Sequence, residues 1–178
     1  MALKRSFTEV LLIGFLLGFG SVGLTQRVGS PAPDFIAGGQ WLNSAPLSVK
    51  DLRGKVVLVN VWVYSCYNCT RSLPSLKKWY KAYHDQGFEI VGVHTPEFES
   101  DKPLTNVEAA LKSEGVTWPV VQDNNSATWR AYKNSVWPTF YLVDREGVVR
   151  RVQRGEISSV FPAGIKPLEN AIAELLNP

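Results

Sequence analysis

Cys66 and Cys69 are the only cysteines in this 178-residue chain, and two residues separate them in "VWVYSCYNCTRSLP" (61–74). Three chemistries fit such a pair: a metal site, a structural disulfide or a redox dithiol. A structural zinc site needs four ligands. The two histidines, His84 and His94, do not have the spacing that would complete one. Copper(I), with fewer and softer ligands, stays open. A structural bridge would close a loop of only a few residues and so restrain the unfolded chain little. The redox reading accounts for the position. If Cys66 opens a helix, backbone N–H groups and the helix dipole favour its thiolate, which is the attacking species. Cys69, one turn on and less exposed, would then resolve a mixed disulfide formed on Cys66.

That reading requires a strand before the pair and a helix after it. "KVVLVNVWVYS" (55–65) has the strand pattern. Val57, Val59, Val61 and Val63 point one way and Leu58, Asn60 and Trp62 the other, so both faces are mostly apolar and the strand is expected to be central. A helix is predicted from Cys66 to Gln86, ended by Gly87 and bent at Pro74. Downstream the pattern predicts a strand at 88–95, a helix at 104–115, a short strand at 118–123 and a short helix at 126–132. An antiparallel hairpin of 139–144 and 148–156 follows, with a final helix at 166–178. Residues 160–165 fit no element clearly. Upstream, "GGQWLNS" (38–44) predicts a hairpin and "SVKDLRG" (48–54) a loop or single turn. The order is that of an α/β fold with a parallel crossover and antiparallel edge strands, its site at the carboxyl end of a central strand.

Composition excludes some classes. With 45% hydrophobic and 20% charged residues the chain is not disordered. A net charge of +3 without a dense Lys/Arg run gives no footprint for nucleic acid. The first 26 residues stand apart. Lys4 and Arg5 precede 15 uncharged residues, "VLLIGFLLGFGSVGL" (10–24). This is the pattern of a signal peptide or signal anchor, and it implies export to a periplasm or equivalent extracytoplasmic space, with the N-terminus cleaved or held in the membrane. Residues 27–178 are expected to form one domain.

Taken together, "APDF" (32–35), "LRGKVVLVNVW" (52–62), "CYNC" (66–69), "LPSLKKWY" (73–80), "IVGVHTPEF" (90–98), "DNNSATWRAY" (123–132) and "WPTFYLVDREG" (137–147) resemble the thioredoxin superfamily. Within it the chain resembles the exported TlpA/ResA-like branch, and especially the thioredoxin-like domain of DipZ-type proteins. The resemblance covers roughly residues 29 to 157. It implies a thioredoxin fold, a central mixed β-sheet flanked by helices, here with an N-terminal β-hairpin extension. It implies an exported thiol–disulfide oxidoreductase acting on protein thiols and disulfides, more as reductant than oxidant, with electrons from a membrane thiol carrier of the CcdA/DsbD kind and no cofactor.

Residue roles follow from the resemblance. Pro138 matches the cis-proline that faces the dithiol, and Trp137 before it would offer its backbone to substrate. Tyr67 and Asn68, between the cysteines, would contact the partner. Asn60 stands where many thioredoxins carry a buried Asp that handles the second cysteine's proton, and Asn cannot titrate. Glu97 is the replacement candidate for that proton transfer. Ser72 stands where ResA-like proteins place a glutamate. Two alternatives remain. "APDF" is shared with peroxiredoxins, but where a thiol peroxidase of that type carries Thr, three residues before the cysteine, this chain has Val63. A copper-binding assembly factor would resemble relatives that use one more residue between the cysteines and a later His, which this chain lacks after His94.

Overall fold

The computed structural model describes residues 28–177. The leader or anchor expected at 1–26 lies outside the described residues. Among them no helix is long and apolar enough to cross a membrane.

Six apolar residues and Asn60 make β2 (Val56–Trp62) a strand buried on both faces. It lies inside the sheet as expected. Parallel to it runs β3 (Phe88–His94), with Asn60 opposite Gly92 and Trp62 opposite His94. On its other side β5 (Thr139–Val143) runs antiparallel. β6 (Val149–Arg154) pairs with β5 and forms one edge, and β4 (Val120–Gln122) pairs parallel with β3. With β1 (Trp41–Leu42) the six-stranded order is β1-β4-β3-β2-β5-β6.

The helices are α1 (Tyr67–Tyr83), α2 (Leu104–Ser113), α3 (Ala127–Ala131) and α4 (Ile165–Leu176). One face of the sheet packs Leu58, Trp62, Ile90, Val120 and Phe140 against α1 and α4. The other packs Val57, Val59, Val61, Val91, Val93 and Val121 against Tyr132 after α3 and the 32–52 segment. The alternation read from 55–65 therefore holds for Val57, Val59 and Val61 against Leu58 and Trp62.

The N-terminal hairpin does not form. β1 pairs antiparallel with β4, Trp41 opposite Val121, about eighty positions away in the chain. The glycines read as a turn have another task. A Cβ on Gly38 would sit 2.7 Å from the amides of Asn124 and Asn125, and one on Gly39 would sit 2.9 Å from the Gln122 side chain. They let this segment lie flush on the β4–α3 loop. The Gly38 amide donates to Gln122 O (2.9 Å), and the Gln122 amide to Gln40 O (2.9 Å).

Other boundaries move by a residue or two. α1 begins after Cys66, which is its N-cap, and ends at Tyr83, where a 3-10 turn over His84–Gln86 leads to Gly87 at φ +89°. The helix continues through Pro74, which lies on its exposed side. The 139–156 hairpin forms as expected. Asp144 closes it by accepting the amides of Glu146 (3.0 Å) and Val148 (2.8 Å). The ambiguous segment contains a 3-10 turn, Pro162–Gly164, that feeds directly into α4.

Candidate active site

β2 ends at Trp62, and the next four residues swing the chain into α1. The Cys66 amide donates to Val63 O (3.2 Å), while Cys66 O accepts from the amides of Cys69 (3.0 Å) and Thr70 (3.1 Å). The first turn thus stacks the two cysteines on one side. Both are free thiols, Cys66 half-buried and Cys69 2% exposed.

Their environments push them apart. The Cys69 thiol donates to the Cys66 sulfur, and that bond is the main reason the Cys66 thiol drops to about 7. Burial opposes the drop, the amides of Cys69 and Asn68 add to it, and the Glu97 carboxylate works weakly against it. Cys69 moves up, chiefly because burial disfavours its thiolate and then because it gives its proton to Cys66. At neutral pH Cys66 is close to half ionised and Cys69 is a thiol.

The Trp137–Pro138 peptide is cis, and Pro138 is buried. Pro138 O accepts the Gly155 amide (2.9 Å), which ties this turn to the end of β6. Among the described residues the Trp137 amide and carbonyl make no backbone hydrogen bond. The Trp137 indole is occupied: its Nε1 donates to Thr95 O (3.1 Å), and its ring lies 4.2 Å from that of Trp129. Its side chain holds the turn in place.

The proton-transfer candidates separate. Asn60 is buried on the α1 face, and its Oδ1 has no partner among the described residues. Glu97 is exposed on the loop after β3, close enough for its charge to act on both thiols. That loop is fixed by a residue the sequence did not single out. Buried Asp101 accepts the amides of Glu97 (3.1 Å) and Phe98 (2.9 Å). Tyr64, two residues before Cys66, donates to Ser100 O (2.8 Å) and stacks on buried His94 (5.5 Å). Burial holds the His94 imidazole at about 4, so it is neutral.

Tyr67 and Asn68 are exposed beside Cys66. The Arg71 guanidinium lies 5.1 Å from the Tyr67 ring and 6.0 Å from the Phe161 ring, and Arg71 Nε pairs with Glu156 (2.9 Å). Ser72 acts structurally. It accepts the Ile157 amide (3.1 Å) and donates to Asn68 O (2.8 Å), while Ser75 donates to Ile157 O (3.1 Å). These two serines clasp the segment after β6 against α1. The departure at Ser72 was legible; its partner 85 positions later was not. Among the described residues no three His, Cys, Asp or Glu side chains gather as a metal site.

Residues 28–152 match the AhpC/TSA family. The chain is 45% identical over 128 residues to protein DipZ of Mycobacterium bovis, an alignment covering 70% of this chain and 18% of that protein. It therefore spans under a fifth of DipZ. It is 34% identical to the thiol-disulfide oxidoreductase ResA of Geobacillus kaustophilus over 89% of each chain. A solved thiol-disulfide isomerase from Corynebacterium glutamicum superposes with a TM-score of 0.70 at 26% identity, covering 83% of this chain and 97% of that one.

Proposed function

The chain belongs to the AhpC/TSA family and has a thioredoxin-like fold; from that premise we propose that it is a thiol–disulfide oxidoreductase, exported and acting as a reductant of protein disulfides. The observation that carries this is the split between the two thiols, Cys66 at about 7 on a helix N-cap and Cys69 buried and protonated.

The cycle balances as follows. The Cys66 thiolate attacks one sulfur of a partner disulfide; that S–S bond breaks, and the leaving thiolate takes a proton from solvent. Cys69 then loses its proton and attacks Cys66 Sγ, which expels the second partner thiol and leaves Cys66–Cys69 oxidised. Two electrons pass to the partner. An outside dithiol must restore them, and a membrane thiol carrier of the CcdA/DsbD kind fits an exported protein. Glu97 is the proton acceptor for Cys69, by way of solvent at the mouth of the site, and Asn60 stays a neutral neighbour. Pro138 and the Trp137 backbone seat the partner chain opposite the dithiol, and Tyr67 and Asn68 border it.

Cys66 supports this direction. A nucleophile near 7 is that of the reductant thioredoxin, whereas the strong oxidant DsbA stabilises its thiolate far more. Export rests on the basic start and apolar run of residues 4–24. The reduction potential, measured against a glutathione or thioredoxin couple, is expected below about −200 mV. A value near about −120 mV would make the protein an oxidant. A reporter fused after residue 26 should be active only outside the cytoplasm.

A further inference from the structure

Two loops meet at the mouth of the site. One leads from β2 into Cys66 and carries Tyr64; the other, residues 95–102, leaves β3 and carries Glu97. The second loop has little regular structure, yet side chains hold it along its whole length. At its start Thr95 Oγ1 donates to Asp123 (2.9 Å), and Thr95 O accepts the Trp137 indole (3.1 Å). At its end Lys102 O accepts the Gln122 side chain (2.9 Å). Between them Asp101, 1% exposed, takes the amides of Glu97 and Phe98 on one carboxylate oxygen. Ser100 O accepts from the Tyr64 hydroxyl (2.8 Å) and from the Asn106 side chain (3.0 Å).

Tyr64 is therefore a strut between the two loops. Its ring stacks on buried His94 at the end of β3 (5.5 Å), its hydroxyl is bonded to the Glu97 loop, and its backbone lies two residues from Cys66. Asp101 lies close enough for its charge to act on both Tyr64 and His94. The Glu97 side chain is the part left free. It is exposed and forms no ion pair among the described residues, while Glu99 beside it is taken by Lys102 (2.5 Å). Its charge reaches both sulfurs. A backbone held this closely limits where a free carboxylate can go.

We propose that Tyr64 and Asp101 are positioning residues for the resolving step, together holding the Glu97 carboxylate within reach of the dithiol. This rests on the oxidoreductase reading and on Glu97 as proton acceptor. In that step the Cys69 S–H gives its proton, through solvent, to the Glu97 carboxylate. Cys69 Sγ then bonds to Cys66 Sγ, and the bond from Cys66 to the partner sulfur breaks. The leaving partner thiolate takes the proton back from Glu97, which ends the step ionised as it began. A misplacement of about 1 Å can cost up to about a hundredfold in rate, so the strut matters although neither residue touches a sulfur.

The test mixes reduced full-length protein with an equimolar amount of dipyridyl disulfide, a neutral chromogenic probe. Attack by Cys66 releases one thiopyridone and resolution by Cys69 releases the second, so the two steps appear as two phases. Glu97→Gln should slow the second phase about tenfold at pH 7 and leave the first within about twofold. Asp101→Ala should slow the second phase about fivefold and Tyr64→Phe about threefold, again sparing the first. Asp101→Asn, which keeps an oxygen for the two amides, should recover most of the parent rate. In a Glu97→Gln background, Asp101→Ala and Tyr64→Phe should add no further slowing, because they act through Glu97. Tyr64→Phe removes one oxygen and keeps the ring on His94, so it tests the strut even where Asp101→Ala fails to fold. A second phase unchanged in Tyr64→Phe, both phases slowed alike, or full slowing retained without Glu97 overturns the inference while the oxidoreductase reading stands. A parent protein that releases no second thiopyridone would remove that reading and the inference with it.

Discussion

The two faces of the sheet differ in what they leave unfinished. On the face away from α1, valines repeat along β2, β3 and β4, and nearly every buried polar group is paired. Asp123 accepts from Thr95 Oγ1 (2.9 Å) and the amides of Thr128 (3.0 Å) and Trp129 (2.8 Å). The Tyr141 hydroxyl donates to Asn134 Oδ1 (2.8 Å), while the Tyr132 hydroxyl and Asn124 Oδ1 are without a partner among the described residues. The α1 face carries Trp62, Trp79, Phe88, Trp118 and Phe140 in one core with Cys69. There Asn60 Oδ1, the indole nitrogens of Trp62 and Trp118, and both His94 nitrogens have no partner among the described residues. Unpaired buried polar atoms cost stability. Both faces are packed cores, but the α1 face carries more of that cost, beside the buried Cys69 sulfur.

Breaking each face should therefore do different things. The largest effect belongs to the dithiol. Cys66→Ser should lower disulfide reduction by about a thousandfold or more, with an unfolding free energy within about 0.5 kcal/mol of the parent. Activity and denaturant melts on one preparation check both halves.

Acid should find the α1 face next. His94 takes a proton near 4 when folded and near 6.5 when unfolded, so the unfolded chain binds more protons between those values. Stability present above about 6.5 is lost as pH falls towards 4, by about 3 kcal/mol in total. Asp123, raised by burial, acts in the opposite sense near the lower end. His94→Phe isolates the histidine: urea midpoints at pH 7 and 4.5 should lie closer together in that variant than in the parent. An unchanged gap would remove His94 from the account.

On the valine face Val91→Ala should cost about 2 kcal/mol of stability and leave kcat/KM for a model disulfide unchanged. A loss of activity without a loss of stability would reverse the division between the faces.

The smallest effect is a titration. Alkylation of the reduced protein should rise with a midpoint near 7, against about 8.5 for an unfolded thiol. Reduced Cys66 thus favours the fold increasingly as pH climbs from 7 towards 8.5, and the gain is lost as pH falls through 7. Glu97→Gln should lower the midpoint by a few tenths, because that carboxylate opposes the thiolate. A rise would contradict its placement.

Much of this was legible locally. The alternation of Val57, Val59 and Val61 against Leu58, Asn60 and Trp62 gave the two faces, and C-x-x-C after a buried strand gave the helix N-terminus. What escaped depends on contacts between distant segments. Gly38 and Gly39 carry the composition of a turn, and only the approach of Asn124 and Gln122 shows that they serve close packing. Ser72, Ser75 and Ile157 form a clasp with no periodic signal. Asp101 reads as one acid among several until its carboxylate is seen to fix the loop that carries Glu97.

Attack by Cys66 and resolution by Cys69 are separated by Cys69→Ser. With the resolving thiol gone, a partner disulfide should stall on the enzyme, and mass mapping of non-reduced digests should place every adduct on Cys66. Freely turning over Cys69→Ser, or adducts found on Cys69 in a Cys66→Ser variant at the same rate, would contradict the account.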